Sequence, residues 1–297
     1  MFPVGVVPFM TEGVDATRAA RRARPHYHRR RRARSVGAST PITRSPTENR
    51  MQQKTLIVGA TSAIAAEVAQ VCAARGDRLY LVGRDASKLK ALVSSLGSAV
   101  VGHESADLLA FDQAQARMQR AIAALGGLDR ALIAHGDLGD QARSERDFDY
   151  ARALIDTNFT GVVALLLPIA AHFETQGYGH LAAITSVAGE RGRPRNYTYG
   201  AAKRALGCYL EGLRSRLYRR GVHVHNIKLG PVPTPMSAGH AQNLLWGEKR
   251  AVAHGIVRAM ERRWHTVYLP RSWRLVMAVV RLLPECVFQR FGFLAGR

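Results

Sequence analysis

Carboxylates are scarce in this 297-residue chain: 22 Asp and Glu stand against 43 Lys and Arg, a formal charge of +21. That balance raises nucleic acid or an anionic membrane surface as a partner. Cysteine is scarcer still. Cys72, Cys208 and Cys286 form an odd, widely spaced set without a C-x-x-C pair, which excludes a disulfide frame and a zinc site. The chain therefore reads as cytoplasmic and free of metal. Long apolar runs are missing too. "GVVALLLPIAA" at 161–171 is too short for a bilayer and contains Pro168, so it reads as a buried or dimer-interface helix. No apolar core of signal-peptide length and no internal repeat is present.

The charge is unevenly spread. Residues 1–50 hold eleven arginines, no lysine and three acids, a local charge of +8 that leaves +13 for the rest. With "RRARPHYHRRRRARS" at its centre and no sustained apolar periodicity, this arm is predicted to be disordered. It reads as a basic arm for nucleic acid or membrane, as an organelle-targeting segment, or as sequence ahead of a translation start at Met51. The last reading is favoured, since Met51 lies just before the first regular element.

From residue 54 short apolar runs alternate with helical patterns. "KTLIVGA" and "RLYLVGR" read as strands, "SAIAAEVAQVCAARG" and "DASKLKALVSSLG" as the helices that follow them, with Asp85 as an N-cap and Gly76 and Gly97 as stops. Further strands are expected in "SAVVGHESADL", "LDRALIAHG", "GHLAAITS", "VHVHNIKLG" and "HTVYLP". Unalternating apolar strands separated by helices predict an α/β chain: one doubly wound parallel sheet of Rossmann type over residues 51–270. An amphipathic helical tail at 271–297 completes it.

"IVGATSAIA" falls between the first strand and first helix, where the free amides and dipole of a helix N-terminus attract a pyrophosphate. Gly59 supplies the turn, with Thr61, Ser62, Ala63 and Ile64 leading into the helix, although Ala63 and Ala65 stand where glycines are expected. After the second strand, Gly83 and Arg84 leave room and a cation for a 2′-phosphate where an acid would bind ribose hydroxyls. The expected cofactor is NADP(H).

"SVAGERGRPRNYTYGAAK" contains two tyrosines one residue apart. Tyr199 and Lys203 share a helix face one turn apart, whereas Tyr197 has Ala201 at that spacing. An ammonium beside a phenol favours the phenolate and draws the pKa toward working pH, as a general acid requires. Ser186 ends the preceding strand at the carboxyl edge of the sheet, where serine and tyrosine can grip one carbonyl oxygen.

On these motifs residues 54–270 resemble the short-chain dehydrogenase/reductase family, in which a serine lies thirteen residues before the Y-x-x-x-K tyrosine, as Ser186 lies before Tyr199. The resemblance implies that Asn158 in "DTNFTG" holds a water in a proton relay to Lys203. It implies that Lys203 also bonds the nicotinamide ribose. Cofactor contacts are implied at Asp107, toward adenine, at Ala134 and Gly136, and at Val232 and Thr234 in "LGPVPTPM", with Thr234 toward the carboxamide. The family's N-N-A-G segment appears as "IAHG", and His135 reads as a sheet-edge stabiliser.

The implied activity is hydride transfer from NADPH to a ketone, with Tyr199 as acid, and a homo-oligomeric enzyme. The tail adds a substrate clue. Trp273, Val276, Met277, Val280, Leu283, Val287, Phe288 and Phe291 are expected to form an apolar surface edged by Arg271, Arg274, Arg281 and Arg290, fit for the interface of an anionic membrane on the inner face of the cell. The alternative is a helix packed on the body or on a partner subunit. "YLPRSWRLVMAVVRLLPECVFQRF" resembles the C-terminus of the decaprenylphosphoryl-2-keto-pentose reductases, which implies a keto-sugar on a polyprenyl phosphate. A long-chain 3-keto lipid is the second substrate reading, and nucleic-acid binding through the arginine arm is the reading from another class.

Overall fold

The computed structural model describes residues 52–237 and 245–290, without the Met236 side chain. The expected disordered arm, the Met51 start and Phe291 lie outside these residues. The strands are β1 (Lys54–Val58), β2 (Arg78–Gly83), β3 (Val100–Ser105), β4 (Arg130–Ile133), β5 (Gly179–Ser186), β6 (Val222–Leu229) and β7 (Thr266–Leu269). The helices are α1 (Ala63–Ala73), α2 (Ala86–Leu96), α3 (Ala114–Leu125), α4 (Gln141–Ser144), α5 (Phe148–Ile155), α6 (Gly161–Gln176), α7 (Tyr197–Leu217), α8 (Lys249–Glu261), α9 (Trp273–Leu282) and α10 (Glu285–Arg290).

The seven strands run parallel in the order β3-β2-β1-β4-β5-β6-β7. Their apolar residues need cover on both faces, and the crossover helices provide it. One layer joins Leu56, Val58, Ile133 and Leu181 to Met118, Leu165, Ile169 and Leu210, and the other joins Ile57, Leu81, Leu132 and Ile227 to Val68, Leu89 and Ile256. Polar caps fix the helix starts: Ser62 Oγ accepts from Ala65 N at 3.2 Å and Asp85 Oδ1 from Lys88 N at 3.0 Å.

A π-helical turn at Asp156–Thr160 joins α5 to α6, and the continuous helix Phe148–Gln176 is long and apolar enough to cross a bilayer, with a mean hydropathy of 1.7 over an 18-residue window. It is instead a core helix. Val162, Leu165, Leu166, Ile169 and Phe173 are buried in the layer against β4 and β5, and each buried side chain of this size contributes about 1.5–3 kcal/mol.

The amino edge of the sheet carries a histidine cluster. Arg130, His180 and His223 are register neighbours on β4, β5 and β6, and His225 follows two residues on along the same face. His225 Nδ1 lies 2.6 Å from the Trp264 carbonyl, which can only accept, so that nitrogen carries the proton. Its Nε2 is then an acceptor, and His180 Nδ1 donates to it at 3.1 Å. Burial, then the neighbouring histidines and Arg130, push His180 down to about 3, and burial pushes His225 to about 4, so both rings are neutral.

The tail differs from expectation in its facing. Trp273, Met277, Val280 and Phe288 turn inward and pack with Val187 beside the end of β5. The apolar residues left outside α9 are Leu275, Val279 and Leu282, which are 73%, 53% and 83% exposed.

Candidate active site

The carboxyl edge of β1, β4, β5 and β6 gathers the expected site residues. Tyr199 and Lys203 stand one turn apart on α7, both buried, and Lys203 Nζ lies 5.8 Å from the Tyr199 ring centroid. Ser186, at the end of β5, stands close enough to the Tyr199 phenol to pull its pKa down, donates to Leu229 O at 3.4 Å and accepts from Ala188 N at 3.1 Å. The two side chains are neighbours at this edge. Tyr197 points away and is 46% exposed.

Burial sets the charges here. It pushes the Tyr199 phenol up to about 12, against the opposing pull of Ser186, and pushes the Lys203 ammonium down to about 8. The expected drop of the phenol toward neutrality is thus outweighed: an ammonium that donates to the Ile184 carbonyl at 3.2 Å does not offset the lost hydration of a buried phenolate. Tyr199 holds its proton.

Asn158 is fully buried in the π-helical turn, where its amide donates to Asp137 O at 2.7 Å and Leu154 O at 2.9 Å and accepts from Asp137 N at 3.2 Å. It ties the segment after β4 to the helix. Gly136 lies against it: a Cβ there would stand 2.8 Å from Asn158 Oδ1 and 3.1 Å from Lys203 Nζ. That absent side chain lets the lysine and asparagine share one wall. Sequence gave no sign of the π turn, a feature that recurs at functional sites.

The turn after β1 is shaped for an anion. Gly59 has φ +78°, and a Cβ on it would meet His135 N at 2.5 Å, so no other residue fits. The amides of Ala63 and Ile64 open α1, where no preceding helical carbonyl can take them. The Ser62 hydroxyl is occupied as the cap of α1, and Thr61 packs on Gly83, where a Cβ would be 2.9 Å from Thr61 Cγ2. Arg84 is exposed, and among the described residues its guanidinium makes no ion pair. Asp107 is exposed and accepts from Leu109 N at 3.0 Å. Ala134 and Val232 turn their side chains into the core, while the Ala134 amide donates to Val58 O at 2.8 Å and Val232 O accepts from Ser237 Oγ at 2.6 Å. Thr234 N donates to Ser237 Oγ at 3.0 Å.

Two features escape sequence reasoning. His135 is 9% exposed, yet among the described residues neither ring nitrogen has a hydrogen-bond partner. Burial and the nearby Lys203 push it down to about 3. The second feature is Trp273, whose Nε1 donates to Leu245 O at 2.9 Å and whose ring sits where a Cβ on Gly230 would be 2.4 Å away. The tail thus holds both flanks of the segment that carries Val232 and Thr234.

Residues 53–244 match the family model described as short chain dehydrogenase. The chain belongs to the short-chain dehydrogenase/reductase family. Among its relatives, an uncharacterized oxidoreductase of Streptomyces coelicolor is 36% identical over 79% of this chain and 94% of its own length. One of Mycobacterium tuberculosis is 34% identical over 79% and 95%. The structure of a short-chain type dehydrogenase/reductase from Mycobacterium ulcerans matches the fold with a TM-score of 0.68 at 22% identity, over 73% of this chain and 88% of that one. This short-chain dehydrogenase/reductase is accordingly an oxidoreductase, and its family binds NAD(P)(H). Gly59, the open amides of α1 and the orphaned His135 nitrogens fit a dinucleotide at the carboxyl edge. The nucleic-acid reading draws no support from these relatives.

Proposed function

We propose that this family member is an NADPH-dependent ketone reductase. The observation that carries the reading is Ser186 at the end of β5 beside the buried Tyr199 phenol, with the buried Lys203 one turn along α7. The reduced nicotinamide supplies the hydride. Tyr199 delivers its proton to the carbonyl oxygen as charge develops there, and Ser186 donates a hydrogen bond to the same oxygen. A phenol held near 12 keeps its proton at neutral pH and is still more acidic than the product alcohol, so it can protonate the developing alkoxide. Lys203 steadies the phenolate left behind and binds the nicotinamide ribose. Asn158 fixes the segment after β4 beside it and holds the water through which Tyr199 is reprotonated. Arg84 takes the 2′-phosphate.

The substrate in this reading is a lipid-linked ketone such as a polyprenyl-phosphate keto-sugar, reached by a homo-oligomer resting on the inner face of the cell membrane. The outward stripe of Leu275, Val279 and Leu282 supports the membrane contact, and the sequence resemblance of the tail supports the substrate. Tyr199→Phe tests the chemistry. It should cut NADPH-dependent reduction of a ketone panel by about 10²–10⁴-fold while NADPH binding persists, and Tyr197→Phe should change little. Similar losses from both would refute the assignment.

A further inference from the structure

A shallow cavity of about 340 Å³ opens between the segment after β5, the start of α7 and the end of α9, lined by Glu190, Arg191, Arg204, Arg281 and Leu283. Its walls are tied together by hydrogen bonds and ion pairs. Arg191 donates to the last carbonyls of α9 and beyond, Val280 O at 2.7 Å and Leu283 O at 2.6 Å, pairs with Glu285 at 2.6 Å and lies 4.0 Å over the Phe288 ring. Glu190, only 5% exposed, is shared by Lys228 and by Arg281 at 3.3 Å. Arg204 donates to the Glu190 backbone at 3.2 Å and among the described residues has no carboxylate.

Four cations thus meet two carboxylates. The surplus positive charge surrounds a hollow with donors on several sides, which is the chemistry of a phosphate site. Just outside it runs the apolar stripe of α9, with Leu275, Val279 and Leu282 on successive turns and Arg274 exposed beside them. A basic hollow next to an outward apolar ridge matches the two layers of a bilayer surface, anionic headgroups and acyl chains.

We infer that this cavity seats the phosphate of an anionic membrane lipid while the α9 stripe enters the acyl boundary. The inference rests on the membrane contact in the proposed function but not on the reductase chemistry, and it is read by binding alone. Full-length protein is mixed with vesicles of phosphatidylcholine, of phosphatidylcholine with phosphatidylglycerol, and of phosphatidylcholine with oleate at matched surface charge. The arginines of residues 1–50 contribute equally in every variant, so differences between variants isolate the cavity.

Phosphatidylglycerol vesicles should bind best. Arg204→Gln with Arg281→Gln should weaken that binding about 30-fold, the loss expected for two cations at an anionic surface, and weaken oleate vesicles much less. Leu275→Glu with Leu282→Glu, at exposed positions that spare the fold, should weaken binding to all anionic vesicles. Arg204→Lys should keep most of the affinity, and unchanged thermal melting shows that each variant is folded. Equal losses on phosphatidylglycerol and oleate would reduce the site to diffuse attraction and overturn it. Tight binding of inorganic phosphate in the absence of vesicles, lost in the arginine variant, with no effect of the leucine variant on vesicles, would assign the cavity to a free phosphate and overturn the lipid reading.

Discussion

Acid should destabilise this fold well above the pH at which carboxylates titrate, because of the histidines at the amino edge of the sheet. His180 and His225 are neutral in the fold, at about 3 and about 4, and ionise near 6.5 when unfolded. Groups with depressed folded pKa values contribute stability that is present above about pH 6.5 and is lost as pH falls toward the folded values. A pH of about 5 lies about 1.5 units below the unfolded pKa of each ring and still above its folded value, which is worth about 2 kcal/mol per ring at about 1.36 kcal/mol per unit. The pair would then lose about 4 kcal/mol. Coupling lowers this figure, since one proton can be shared across the His180–His225 bond, so about 2–4 kcal/mol is expected. Arg130, Arg214, Arg263, His223 and His265 surround the pair and oppose any added charge, and Asp77 is engaged with Arg130 at 3.5 Å. Such a loss is a large share of a typical stability of about 5–15 kcal/mol. Urea unfolding followed by circular dichroism at about pH 7.5, 6 and 5 measures it. His180→Gln removes one titrating ring and should flatten the slope by about half, whatever it costs at neutral pH. A wild-type difference below about 1 kcal/mol between pH 7.5 and 5, or an unchanged slope in the variant, would refute the reasoning.

Two further outcomes follow from the cleft and its tail. Arg84→Ala should weaken NADPH by about tenfold or more and NADH little, because a charge-assisted bond to the 2′-phosphate is worth about 1.5–3 kcal/mol; equal weakening, measured by fluorescence titration, would remove Arg84 from cofactor selection. Trp273→Ala should cost about 3–5 kcal/mol of stability and also raise the NADPH dissociation constant at a temperature where the variant is folded, because the indole holds Gly230 and Leu245 on either side of Val232 and Thr234. An unchanged constant would make the tail a mere cover.

What the sequence determined was local or periodic. Apolar runs of strand length between helix-length segments were enough for the parallel sheet, because strands buried on both faces cannot alternate. Asp85 and Gly97 were legible because caps and stops act within a few residues. The pairing of Tyr199, rather than Tyr197, with Lys203 was legible because an i, i+4 pair is fixed by helix geometry. Everything that depends on distant segments meeting was decided by the tertiary structure. The strand "VHVHNIKLG" was legible, but the histidine cluster was not, since His180 and Trp264, which complete it, come from elsewhere in the chain. The lysine spacing predicted a lowered phenol, yet the depth of burial set the opposite direction, because desolvation depends on all the atoms around a group. The amphipathic tail was visible as a pattern. Which stripe faced outward was not, since Trp273, Met277 and Val280 found Val187 and Gly230 only once β5, β6 and α9 were brought side by side.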